Sequence, residues 1–208
     1  AAYGVPCYRC LTGFKWIADI INHKPEEQFL VGGEESYGYL IGDAVRDKDA
    51  VASAVMIAEM AANAKSQGRT VLQQLEAIHR EFGQYQERLI SITKKGRSGA
   101  QEIADMMTAL RNDPPKTLAE SPVVIAIDHN NSTQTDLRTG ATSSTALPAS
   151  NVLQFITEAG DKVSARPSGT EPKIKFYFSV RATTGDSHAA TKSELERKID
   201  TFIEELNL

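Results

Sequence analysis

The chain has 208 residues, 41% hydrophobic and 24% charged, with a net charge of −4 and an isoelectric point near 5.6. That composition allows one large globular domain or two modest ones and excludes disordered and fibrous classes. Mild acidity also excludes a broad nucleic-acid footprint, so any bound anion must be held by a local cluster of cations.

No apolar run approaches the roughly 20 residues that span a bilayer, and no signal-peptide pattern opens the chain. The expectation is a cytoplasmic protein with neither a membrane nor a nucleic-acid partner. Cys7 and Cys10 form a lone C-x-x-C. No second pair has complementary spacing, and His23, His79, His129 and His188 are too scattered to form a ligand set, so no metal site is expected within this chain.

Thr12 and Gly13 open a helix candidate, FKWIADII, and FLVGGEE (29–35) reads as a strand emptying into a loop. Over 49–65, alanine, valine, methionine and isoleucine recur at spacings of three and four, the stripe of an amphipathic helix that Gly68 is placed to stop. Thr70 reads as the N-cap of a second helix, VLQQLEAIHREF, ending at Gly83. The pattern then restarts with a strand over 87–95, a helix over 98–111 and a breaker at 112–115. Strands follow over 123–127, 151–157, 162–166 and 173–181, and a helix over 193–206 closes the chain. The segment 130–150 is rich in Ser, Thr and Gly and reads as an exposed loop.

These elements place a boundary near Gln84. Residues 85–208 read as a self-contained α+β domain with an antiparallel or mixed sheet and flanking helices. Residues 1–84 offer three helices and one good strand, too little sheet for the helices to cover. They read as the end of an α/β mixed-sheet domain whose earlier strands lie outside this sequence, and the missing initiator methionine agrees with a fragment.

Three loops could carry chemistry. RPSGTEPK (166–173) supplies what a phosphate needs: the Arg166 fork, the Ser168 and Thr170 hydroxyls, Gly169 for close backbone approach and the Lys173 charge. A polar hairpin turn uses the same residues. GGEESYGY (32–39) with DAVRDKDA (43–50) places paired acids and Lys48 after a strand, which suits polyol hydroxyls, a metal, general acid–base work or an acidic helix start. Lys48 beside Asp47 and Asp49 is either a solvated charge or an electrostatic partner and proton donor for a phosphorylated substrate. In TGFKW (12–16), Thr12 and Gly13 either cap a helix or meet an anion.

In order along the chain, TGFK, GEESYGY, VRDKDA and RPSGTEPKIKFYF closely resemble the α-D-phosphohexomutase family, most nearly its bacterial phosphoglucomutase/phosphomannomutase members. The likeness implies a four-domain enzyme of which this chain is the end of the third domain, 1–84, and the fourth, 85–208. It implies that Gly33, Glu34 and Ser36 grip sugar hydroxyls, that Thr12 and Gly13 help to orient the sugar, and that Lys48 lies near the reacting oxygens as a catalytic group. It further implies that Arg166, Ser168, Gly169 and Thr170 hold the non-reacting phosphate; Lys173 and Lys15 carry over only in part. Mg²⁺ and glucose 1,6-bisphosphate serve the intact enzyme, whose substrate is a hexose phosphate and whose other domains are this chain's partners. The family's phosphoserine motif and its D-G-D-x-D metal loop have no match here, so the chain should bind without catalysing. A stand-alone phosphosugar-binding module, or a mutase of pentose or amino-sugar phosphates, would share the same loops.

Overall fold

A computed structural model of the chain describes residues 3–34, 37–94, 96–183 and 187–208. The chain divides into two compact units, Ala1–Leu75 and Glu76–Leu208. The division passes through a helix, whereas the boundary read from the sequence follows that helix.

In the first unit, helix α1 (Phe14–His23) places Phe14, Ile17 and Ile21 on one face, the spacing that packs a helix onto a core. Phe14 and Ile17 close on Leu40, with Cys10, Ile21 and Phe29 around them. Leu40 belongs to strand β2 (Tyr39–Ile41), which the sequence did not announce. It pairs antiparallel with β1 (Val31–Gly33), so that Glu34, Tyr37 and Gly38 lie between two hairpin strands. The stripe expected over 49–65 is helix α2 (Ala50–Ser66), capped by Asp49, whose Oδ1 accepts from the amides of Val51 and Ala52 at 3.0 Å each. Only Ala64 of α2 is buried, while Val51, Val55, Met56, Ile57 and Met60 are exposed.

Helix α3 (Val71–Phe82) starts as expected at Thr70. Gln73 N donates to Thr70 Oγ1 at 3.2 Å and Thr70 N donates to Gln73 Oε1 at 2.8 Å, a reciprocal capping box. The helix ends at Gly83, whose φ of +92° is a conformation other residues avoid.

The second unit is built on one antiparallel sheet. Its strands are β3 (Gln84–Thr93), β4 (Thr117–Leu118), β5 (Ser121–Asp128), β6 (Thr133–Asp136), β7 (Thr142–Ser144), β8 (Leu153–Thr157), β9 (Lys162–Pro167) and β10 (Lys173–Ala182). They lie in the order β3-β10-β9-β8-β5-β6-β7, with β4 paired to β5. The expected loop over 130–150 therefore contains β6 and β7. Polar strands at a sheet edge need no apolar alternation, so their composition did not mark them.

Helix α4 (Gly96–Asn112) and helix α5 (His188–Glu205) flank this sheet. Ile103 and Met107 of α4 and Leu195, Ile199 and Phe202 of α5 join Val163, Ile174, Phe176 and Phe178 in one core. The alternation in β10 is strict: Ile174, Phe176, Phe178 and Val180 are buried while Lys173, Lys175, Tyr177 and Ser179 face the other way. Asp161, fully buried, fastens the β8–β9 turn to two neighbours. Lys198 of α5 pairs with it at 2.5 Å, and the amide of Arg181 donates to it at 2.9 Å.

Candidate functional site

The singled-out residues fall into one cluster in each unit. In the first unit the β1–β2 tip, the start of α1 and the segment before α2 meet. Glu34 stands at the hairpin tip, its amide donating to the carbonyl of Gly38 at 2.9 Å. Its side chain is 8% exposed, against 52% for Lys48, whose Nζ lies 4.0 Å from Glu34 Oε2. The same ammonium is 3.4 Å from Asp47 and sits over the Phe14 ring, 4.6 Å from its centroid. Lys48 is thus a half-exposed cation beside a buried carboxylate, with its ammonium over an aromatic face.

Two glycines make this possible. A Cβ at Gly38 would lie 2.9 Å from Lys48 Cδ and 3.0 Å from Phe14 Cε2. Gly13 caps α1 with φ +125° and accepts from the amide of Trp16 at 2.9 Å. Gly33 works differently: a Cβ there would be 2.9 Å from the Tyr39 ring, so its bareness makes room for a neighbour in the hairpin. Thr12 is exposed just before Gly13, Lys15 lies 4.9 Å from the Trp16 ring, and Ser36 falls outside the described residues. Cys10, at the rim of the small core, has its thiol pKa raised by burial and then by the charge of Glu34, which keeps it protonated. Among the described residues no group of three or more His, Cys, Asp or Glu side chains could hold a metal ion.

In the second unit RPSGTEPK is the connection between β9 and β10. The amide of Ser168 donates to the carbonyl of Lys173 at 2.7 Å, and that of Lys94 to the carbonyl of Pro172 at 2.9 Å, which pins the loop to the sheet. Ser168 Oγ accepts from the amides of Thr170 at 3.4 Å and Glu171 at 3.3 Å, folding the loop over its own hydroxyl. A Cβ at Gly169 would meet nothing within 4 Å, and its φ is ordinary. Neither packing nor backbone requires glycine there, so what it provides is an open approach to the main chain. A groove of about 370 Å³ separates residues 168–172 from Ala100, Ile103, Ala104 and Met107 of α4.

The strand register adds a residue that the sequence reading missed. Lys175 of β10 is the cross-strand partner of Arg166 in β9, so two cations stand side by side on the face away from the core. Like charges in that relation repel. Among the described arginine side chains of this unit, Arg166 alone has no hydrogen-bond or ion-pair partner. Lys173 differs, because its Nζ donates to Glu171 Oε2 at 2.9 Å. That hydrogen bond, and the charge behind it, hold the Glu171 carboxyl below the usual carboxylate range. The alternation in KIKFYF puts Lys175 on the outer face, but only the register reveals that it faces Arg166.

Comparison with known proteins bears on the family of the chain. Residues 1–82 match the family described as phosphoglucomutase/phosphomannomutase, alpha/beta/alpha domain III. The chain is 40% identical over 171 residues to a phosphoglucomutase of Staphylococcus epidermidis, covering 82% of this chain and 31% of that protein. It is 39% identical over 180 residues to a probable phosphomannomutase of Haemophilus influenzae, covering 86% and 32%. The chain spans about a third of the length of these curated relatives. Among solved structures, parafusin, a phosphoglucomutase from Paramecium in its open form, superposes with a TM-score of 0.63 at 18% identity, over 94% of this chain and 33% of that one. That last likeness is one of fold.

Proposed function

Because this chain belongs to the phosphoglucomutase/phosphomannomutase branch of the phosphohexomutases, we propose that it is the sugar- and phosphate-anchoring part of such an enzyme. It comprises the end of the third domain (1–84) and the fourth (85–208). The β9–β10 loop holds the phosphate that is not reacting: Arg166 and Lys175 neutralise it, Ser168 and Thr170 offer hydroxyls, Gly169 admits it to the backbone, and Lys173 stands beside it. Glu34, Ser36, Gly33, Thr12 and Gly13 contact or shape the space for the hexose hydroxyls, and Lys48 acts near the reacting oxygens. A hexose phosphate that must be used from either end needs one firm charged anchor and a grip that tolerates two ring orientations.

The single observation that carries the reading is the Arg166–Lys175 pair, two like charges that the sheet sets opposite each other at the base of a loop carrying the Ser168 and Thr170 hydroxyls. A phosphate dianion would turn that repulsion into attraction. The whole protein interconverts the 1- and 6-phosphates of glucose or mannose in the cytoplasm, through a phosphoserine and the hexose 1,6-bisphosphate. Mg²⁺ would supply charge neutralisation to that transfer. We assign its site to the remainder of the polypeptide, where the family likeness puts the metal loop.

The test is an amide NMR titration with glucose 1-phosphate. Wild type should shift Gly169 and Thr170, and Arg166→Ala should weaken binding by about tenfold or more, the effect of ~1.5 to 3 kcal/mol for a charged hydrogen bond. Equal affinity in the two proteins would dismiss Arg166 as the anchor.

A further inference from the structure

The loop holds three cations and one acid, and the acid is already engaged. Arg166 has no hydrogen-bond or ion-pair partner among the described side chains, and Lys175 makes no direct ion pair although its charge reaches Glu171, while Lys173 is hydrogen-bonded to Glu171 at 2.9 Å. Glu171 is held in reach by the backbone itself: its carbonyl accepts from the amide of Lys173 at 2.7 Å, and its own amide is turned onto Ser168 Oγ. The acid and the lysine are two residues apart with Pro172 between them, so the loop closes the ion pair without help from elsewhere.

We infer that Glu171 is an internal counter-anion that keeps Lys173 off the bound phosphate and so limits the strength of the anchor. The inference rests on the phosphate-binding reading of this loop. Its logic is one of charge. From Arg166 to Lys175 the segment carries three positive and one negative side chains, a net +2 that matches a phosphate carrying roughly −1.5 to −2 at neutral pH. With Glu171 neutral the excess would be +3, and Lys173 would be released to become a further donor. An anchor of that strength would retain its ligand, whereas a mutase must let a bisphosphate turn over and then let the product go. Glu171 therefore sets release, and acts chiefly through Lys173, the one cation to which it is hydrogen-bonded.

The experiment is a double-mutant cycle on the whole chain, with glucose 1-phosphate binding followed by amide shifts in wild type, Glu171→Gln, Lys173→Met and the double variant, and Arg166→Ala beside them. Glu171→Gln should tighten binding by about fivefold, the range of one exposed ion pair. Lys173→Met should weaken binding about twofold when Glu171 is present and about tenfold in the Glu171→Gln background, a coupling in the range of contacting residues. A mere loss of local negative charge would tighten binding equally with and without Lys173, and that result would overturn the inference. So would an unchanged affinity in Glu171→Gln while Arg166→Ala still abolishes binding, an outcome that leaves the phosphate reading standing. Absence of binding in every variant, Glu171→Gln included, would overturn both.

Discussion

Gly38 decides where Lys48 can lie. With a methyl group there, Lys48 Cδ would be closer than packed atoms allow and the edge of Phe14 would have to give way. Gly38→Ala should push the lysine stem off the ring and lower stability by about 1 to 3 kcal/mol, as overpacking does. Chemical denaturation reads the loss, and the Lys48 side-chain protons should move downfield as they leave the ring current; unmoved protons would remove Gly38 from this role. The candidate site was half legible at this scale. Arg166, Ser168, Thr170, Glu34 and Lys48 stand out because hydroxyls, charges and glycines crowd short loops. Lys175 did not, since its meaning depends on a partner in another strand, and neither did the commitment of Lys173 to Glu171, which depends on a backbone turn.

Between elements, the end of α3 and the start of α5 meet through His79 and His188, whose rings stack with centroids 5.0 Å apart. Burial, and then the neighbouring imidazole, lower the pKa of His79. The unfolded chain takes up that proton near pH ~6.5 and the folded protein only at lower pH. Stability from this junction is therefore complete above about 6.5 and declines as pH falls toward the folded value. A histidine NMR titration should place the His79 midpoint below that of an unstructured peptide, and a midpoint at or above it would refute the assignment. The elements themselves were largely readable. All five helices declared themselves by apolar spacing, caps and glycine stops, and α3 matched residue for residue. The strands expected over 87–95, 151–157, 162–166 and 173–181 did so by alternation, and that over 123–127 by an unbroken apolar run; they are β3, β8, β9, β10 and β5. What escaped was short or polar: β2 is three residues inside a glycine-rich loop, β4 is two, and β6 and β7 carry Thr, Gln, Asp and Ser at a sheet edge. Such strands are fixed by neighbours supplying hydrogen bonds, which a pattern of side chains does not record.

At the level of the whole molecule the two units are unequally provided. Among the described residues the core of the second joins fifteen buried side chains and that of the first three. Since local opening is governed by buried contacts, amides of β9 and β10 should be the slowest to exchange in this chain and those of β1, β2 and α1 markedly faster. Equal protection in the two units would contradict the assignment of the first to an unfinished domain. The exposed Val51, Val55 and Ile57 of α2 belong to the same imbalance.

The strand order of the second unit bears on how the protein is made. β3, the first strand of this unit to leave the ribosome, finds its place only against β10, the last, with Gln84 opposite Ala182. Pairing so distant in sequence is slow, because a long loop must close before any contact rewards it. During synthesis β3 therefore waits as an unpaired edge, open to aggregation until the final strand arrives. The β9–β10 loop, being the hairpin that delivers β10, takes shape in that same closing event, so a nascent chain acquires the proposed anion anchor and its completed sheet together.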